Sequence, residues 1–165
     1  MHFHLKVSYF FLVYQIVFSR IFHFFYLLFF PLILDYKSLQ IQGDVTKPED
    51  CKRLIDTVVS HFGGLDVLVN NAGAGAFGSI YDPKLIETLQ SQIRLNVTAM
   101  VQITQLAVPE LEKRGGVIVN ISSTLSQKPN VHFMPYCVAK ASVDMFTKCL
   151  ALELGPKGVR VNSVK

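Results

Sequence analysis

No glycine occurs before Gly43, although the chain holds 10 glycines in 165 residues. Glycine is what lets a backbone approach a phosphate closely, so a G-x-G-x-x-G cradle is excluded from the first 42 residues. Cysteine is scarce too. Cys51, Cys137 and Cys149 make no C-x-x-C pair and no metal-ligand spacing, so no metal site is expected. They read as small apolar core residues of a reducing compartment. Charged residues are only 17% of the chain, and the net charge of +4 is not gathered into any Lys/Arg run. That argues against a nucleic-acid partner and leaves weak attraction to anionic small molecules. Internal repeats and linkers are absent, and 165 residues suit one domain with a real core.

What is abundant is phenylalanine, and it is unevenly placed: nine of 13 lie before residue 31. Residues 1–35 therefore form a unit apart. Its apolar stretch, residues 8–34, is long enough to cross a bilayer. Arg20 and Gln15 lie inside it and Pro31 interrupts its end. One mid-bilayer Arg costs about 2.5–3.5 kcal/mol, which many Phe, Leu and Ile at about 0.3–0.6 each can offset. A cleaved signal peptide fits poorly, because no A-x-A-like site follows the run. Two readings stand: a membrane anchor through residues 8–34, or a stretch that is not native coding sequence, such as a translated A/T-rich intron. Localisation is accordingly cytoplasmic or membrane-associated.

From Tyr36 onward strands and helices alternate. Leu39–Gly43 is a short strand. Thr46-Lys47-Pro48-Glu49 is a capping box, with Thr46 as N-cap and Glu49 reaching back. It opens a helix whose Leu54, Ile55, Val58 and Phe62 recur at three and four. Asp66–Asn70 is the next strand. Asp82-Pro83 starts helical sequence that runs, with a break, to Lys113. Val117–Ile121 is a strand, Pro135–Leu154 a helix and Val159–Val164 a strand. Short apolar strands separated by long helices predict an α/β domain with a doubly wound parallel sheet.

Residues 73–78, GAGAFG, follow DVLVNNA and look like a nucleotide-phosphate loop. The context is wrong for one. The glycines do not open a helix at once, and no strand-end acid follows about 20 residues later to take a ribose. GAGAFG is then either a loop at the carboxyl end of a central strand, where ligands bind in such sheets, or a mere turn.

Tyr136-Cys137-Val138-Ala139-Lys140 puts a phenol and an ammonium on one helix face, about 5–6 Å apart at their bases. A phenol titrates near 10, too high for a base at neutral pH. A fixed ammonium about 5 Å away favours the phenolate by roughly 3 kcal/mol at an effective dielectric near 20. That is about two pKa units, enough to bring such a group into working range. An aromatic packed on a lysine stem is the bland alternative. Ser123 ends VIVNISS 13 residues before the tyrosine. Two hydroxyls and a lysine meeting at strand ends suit proton transfer at a carbonyl oxygen; the alternative is that Ser122-Ser123 are just a turn cap.

Together with DVLVNNAG and GVRVNSV, these motifs make the chain resemble the short-chain dehydrogenase/reductase family over Tyr36–Lys165, roughly the middle half of that family's domain. The resemblance implies a Rossmann-like fold and an NAD- or NADP-dependent oxidoreductase acting on a small-molecule alcohol or carbonyl. It makes Tyr136 the acid/base, Lys140 the group that activates it and binds the nicotinamide ribose, and Ser123 the group that polarises the substrate oxygen. Asn96, 40 residues before the tyrosine, matches the family's helix-interrupting Asn of a proton relay. Asp44-Val45 match the pair that contacts adenine, and Asn71-Ala72-Gly73 the loop beside the cofactor. Two apolar stripes on the Pro135–Leu154 helix, and the family's habit of pairing such helices, imply a homo-oligomer.

The chain departs from the family at both ends. T-G-x-x-x-G-x-G has no counterpart among residues 1–43, and the sequence stops where a Pro-Gly element, a substrate lid and a last strand would follow. The domain is therefore expected to be incomplete at both ends, with DVLVN unpaired on one side. Such a chain should neither fold stably nor hold NAD(P), and it could be a non-catalytic or membrane-tethered remnant.

Overall fold

The computed structural model describes residues 3–8, 11–15 and 38–165. In chain order the elements are β1 (Phe3–Ser8), β2 (Phe11–Gln15), β3 (Ser38–Gly43), α1 (Pro48–Phe62), β4 (Val67–Asn70) and α2 (Leu85–Ile93). A π-helical turn (Arg94–Thr98), α3 (Ala99–Arg114), β5 (Val117–Ile121), a 3-10 turn (Thr124–Ser126), α4 (Met134–Leu154) and β6 (Arg160–Val164) complete them. The six strands form one sheet in the order β3-β1-β2-β4-β5-β6. β2, β4, β5 and β6 run parallel, while β1 is antiparallel to both its neighbours. This is a Rossmann-like α/β fold.

The alternation of side chains along β4 and β5 places the core. Leu68 and Asn70 are buried on β4, Ile118 and Asn120 on β5, and each pair is directly opposite across the ladder. The intervening Val67, Val69, Val117 and Val119 are half-buried. Helices α3 and α4 lie over the buried face. Thr104 of α3 accepts from Asn70 Nδ2 at 3.0 Å, and Thr147 of α4 accepts from Asn120 Nδ2 at 2.9 Å. Helix α1 packs beside α3, and Leu54, Val58, Ile103 and Leu111 fill the space above Leu68 and Ile118.

Several expectations are corrected. The left side of DVLVN is not open, because β2 pairs with it through Leu12–Leu68, Val13–Val69 and Tyr14–Asn70. Strand pairing needs only backbone donors and acceptors in extended geometry, and the Phe-rich segment can supply them. Residues 3–8 and 11–15 are thus strands, not part of one spanning helix. Among the described residues no helix is long and apolar enough to cross a membrane; residues 9–10 and 16–34 of the proposed anchor lie outside the described residues.

Thr46 does not cap α1. Its hydroxyl donates to Asp44 Oδ1 at 2.8 Å, and Lys47 stands at the N-cap with no side-chain bond. Asp50 takes over: it accepts the Asp44 N–H at 2.8 Å and meets the positive helix end in the first turn. Helix α2 begins at Leu85 rather than at Asp82, because Asp82 makes a turn instead, its Oδ1 accepting the Lys84 N–H at 2.8 Å. Cys51 and Cys137 are buried as expected, but Cys149 is exposed on the outer face of α4.

This one-sided core has a testable signature. Leu68→Ala should cost about 2–5 kcal/mol, since its whole side chain is enclosed. Val69→Ala, on the half-buried face, should cost well under half of that in urea unfolding. Equal losses would contradict the packing described.

Candidate active site

The parallel strands all present their carboxyl ends to the same edge, and the loops that carry the predicted residues leave from there. β4 runs into Asn71-Ala72-Gly73, β5 into Ser122-Ser123, and β3 into Asp44-Val45. Ser122 is buried, with its N–H donating to Val164 O at 2.8 Å. Ser123 is extended and half-buried, and its Oγ accepts the Leu125 N–H at 3.2 Å as the cap of the short 3-10 turn. That bond uses a lone pair, so the hydroxyl proton stays available to another acceptor.

Helix α4 opens at Met134 with Pro135 in its first turn, which places Tyr136 near its start and Lys140 one turn deeper. Tyr136 is half-buried. Lys140 is only 5% exposed, and its Nζ donates to Ile121 O at 2.7 Å. The ammonium lies 5.6 Å from the centre of the Tyr136 ring. Burial depresses the Lys140 pKa from 10.5 to about 8, against the pull of the Asp144 carboxylate, which favours the charged form.

Asn96 sits inside the π-helical turn, where the helix widens and Ala99 N–H reaches back to Arg94 O. The break foreseen in this helix is that turn. Asn96 Nδ2 donates to Ala74 O and Gln92 O at 3.1 Å and to Gln92 Oε1 at 3.2 Å. Its Oδ1 is buried with no donor among the described residues. Gly73 passes against these groups. A Cβ there would stand 2.6 Å from Asn96 Oδ1 and 3.4 Å from Lys140 Nζ, so only glycine allows this approach.

The fold therefore brings Asn96, Gly73, Tyr136, Lys140 and the β5 end before Ser123 into one neighbourhood. Asp44 and Val45 stand at the same sheet edge but four strands from β5. The Asp44 carboxylate is turned to a local task, accepting the Thr46 N–H at 2.9 Å as well as its hydroxyl. Burial pushes it up, yet the Thr46 bonds and Lys47 hold it below the ordinary carboxylate range. The Val45 side chain is buried in the core, and its carbonyl accepts the Cys51 thiol at 3.2 Å. With the whole residue only 2% exposed, Val45 offers little surface to a ligand. Sequence reasoning missed Gln92, whose i−4 spacing from Asn96 was the available sign, and the Phe77–Phe133 pair. Those rings lie 4.5 Å apart, with Phe133 6.4 Å from Tyr136.

The residues present fit the nicotinamide-ribose half of a dinucleotide. Lys140 has two ammonium protons beyond the one given to Ile121 O, and Gly73 opens the backbone beside it. They do not fit the pyrophosphate half, because no glycine occurs before Gly43 to form a phosphate loop after β2.

Against known proteins, residues 34–165 match the short chain dehydrogenase family model. The chain is 41% identical over 134 residues to dehydrogenase/reductase SDR family member 4 of Homo sapiens, covering 78% of this chain and 48% of that protein. L-sorbose reductase from Gluconobacter frateurii, solved with NADPH and L-sorbose, superposes at a TM-score of 0.69 with 37% identity, over 73% of this chain and 46% of that one. A 7α-hydroxysteroid dehydrogenase complexed with NADH and 7-oxo glycochenodeoxycholic acid superposes at 0.68 with 34% identity, over 73% and 47%. The chain belongs to the short-chain dehydrogenase/reductase family. It spans about half the length of the curated relatives it matches.

The depressed Lys140 pKa has a consequence for stability. Below about pH 8 the ammonium is charged in both folded and unfolded chains, and the burial cost is fully felt. Between about 8 and 10.5 the unfolded chain binds more protons, so this group's contribution rises with pH. Lys140→Met should remove that rise, worth about 3 kcal/mol across the window. Denaturant titrations of both proteins at stepped pH check it, and parallel curves would count against a buried ammonium.

Proposed function

We propose that this chain carries the proton-transfer site of an NAD(P)-dependent oxidoreductase that interconverts a small-molecule alcohol and carbonyl. The observation that carries the reading is the buried Lys140 ammonium, held by Ile121 O beneath the Tyr136 ring and against Gly73. When bound, the nicotinamide supplies a hydride to the carbonyl carbon in reduction and accepts one in oxidation. Tyr136 gives its phenolic proton to the oxygen in reduction and takes it back in oxidation. Lys140, a fixed positive charge beside the ring, favours the anionic phenol left behind and offers its two spare protons to ribose hydroxyls. Ser123 donates to the substrate oxygen, because its own Oγ is already served by the Leu125 N–H. Asn96 clamps the Gly73 loop against Lys140 through Ala74 O.

Asp44-Val45 and Asn71-Ala72-Gly73 are the proposed adenine and cofactor-side contacts. Relatives with NADH and with NADPH leave both cofactors in play. Phe77, 71% exposed, and Phe133 form an apolar wall beside Tyr136, which suits a substrate with an apolar body. A steroid carbonyl, the ligand named with one structural neighbour, is of that kind.

The absence of glycine before Gly43 favours one alternative, a chain that keeps these residues without holding the cofactor. Calorimetric titration with NAD and NADP separates the two, since micromolar saturable binding would exclude the alternative. For the enzyme reading, Tyr136→Phe should lower turnover at least about 100-fold while nucleotide binding survives. Near-normal turnover in that variant would sink the assignment.

The outer stripe of α4, with Val138, Met145, Cys149 and Leu152 exposed, contrasts with the buried Val143, Leu150 and Leu154. Helix pairing through this stripe would make the protein a homo-oligomer. Sedimentation should show a dimer or larger species at micromolar concentration, and Leu152→Glu should shift it to monomer.

A further inference from the structure

The proton-transfer helix meets the turn that carries Ser123 through the side chains of Lys140 and Asp144, and only the Lys140 contact belongs to the site described so far. Lys140 holds Ile121 O, two residues before Ser123. One helical turn later Asp144 reaches the other side of the same turn. Its Oδ2 accepts from Ser126 Oγ at 2.7 Å, three residues after Ser123. Ser126 Oγ also lies 2.7 Å from Ser123 O, so its single proton is shared between the two acceptors. The second carboxylate oxygen, Asp144 Oδ1, is buried with no hydrogen bond of its own among the described residues.

We propose that Asp144 is a positioning residue for this site, clamping the Ser123 turn through Ser126 and counterbalancing the buried charge of Lys140. The proposal rests on the oxidoreductase reading for what Ser123 and Lys140 do.

The surroundings of each group support the pairing. Lys140 is faced from its own helix by Tyr136 and Asp144, from β5 by the neutral Ile121 carbonyl, and from the Gly73 loop and π-helical turn by neutral Gly73 and Asn96. Asp144 is thus the acidic group acting on it. Asp144 in turn is faced by the ammonium of Lys165 at the end of β6, at 3.0 Å, and by the hydroxyls of Ser122 and Ser126. Burial pushes its carboxyl up, but those three partners more than offset it and hold the group below its usual range. The carboxylate is therefore charged throughout the range in which Lys140 titrates. Without it, burial alone would act on the Lys140 ammonium, and the positive charge beside the phenol would be lost at a lower pH. A simple staple between α4 and β6 through Lys165 would leave Lys140 untouched, which is what separates the two ideas.

The test follows the Lys140 side-chain carbon signal by NMR as pH is raised, together with backbone amide exchange at Leu125–Gln127. Asp144→Asn should move the Lys140 midpoint down by about one pH unit and speed exchange in that turn about tenfold or more. Ser126→Ala should speed exchange and leave the Lys140 midpoint in place, since it cuts the clamp and keeps the charge. Asp144→Glu should restore the midpoint while the turn stays loose, because the longer side chain no longer meets Ser126 at the same distance. If Asp144→Asn does not fold, the Ser126→Ala and Asp144→Glu results decide alone. An unmoved midpoint in folded Asp144→Asn, or unchanged exchange in Ser126→Ala and Asp144→Glu, overturns the proposal. Neither readout involves turnover, so failure of the oxidoreductase reading would show separately, in the Tyr136→Phe experiment.

Discussion

The hydrogen bond from the Lys140 ammonium to the Ile121 carbonyl is the contact on which the site depends. It joins the middle of α4 to the last residue of β5 and fixes how the helix start, with Tyr136, stands over the strand end before Ser123. Burying an ammonium is unfavourable, and its depressed pKa records that cost. One carbonyl bond and the nearby Asp144 charge offset part of it. The remainder is carried by the packed core around α4, where Val143 and Leu154 are enclosed. A group held charged at such cost is where fold stability is exchanged for a positive field beside the Tyr136 ring.

Beneath that contact a buried polar chain sets the registers. Asn70 Nδ2 donates to Asn120 Oδ1 at 2.8 Å and to Thr104, and Asn120 continues to Thr147, whose hydroxyl donates to Val143 O at 2.8 Å. These bonds cross β4 and β5 and tie each to its helix. A one-residue slip in either strand would turn its Asn to the other face and leave buried amides unpaired, so the chain specifies register more sharply than apolar packing would. Gly73 stands three residues beyond Asn70 and Ser123 three beyond Asn120. Register at the ladder is thereby register at the site.

The N-terminal segment shows how differently two functions of one position depend on side chains. The place of a strand beside β4 can be taken by Phe11–Gln15, because a ladder is made of backbone groups. The phosphate loop that would follow such a strand cannot be replaced in this way, because it needs residues without a Cβ. The sheet continues on that side through β2, while no glycine stands before Gly43 to form a phosphate loop.

Local spacing made much of this legible from sequence. Tyr136 and Lys140 had to share a helix face, Ser123 had to end an apolar strand, and the α4 stripes divided into an inner and an outer face, because period and propensity act within a few residues. Contacts between residues distant in the chain were decided only by the tertiary structure. That Lys140 reaches Ile121, that Asn96 leans on Ala74, that Asp144 meets Ser126 and that β2 pairs with β4 follow from how elements pack, which no local pattern encodes. Even the start of α1 belongs to this class: Thr46 had the right spacing for a cap, but Asp44 at the strand end offered its hydroxyl a nearer acceptor.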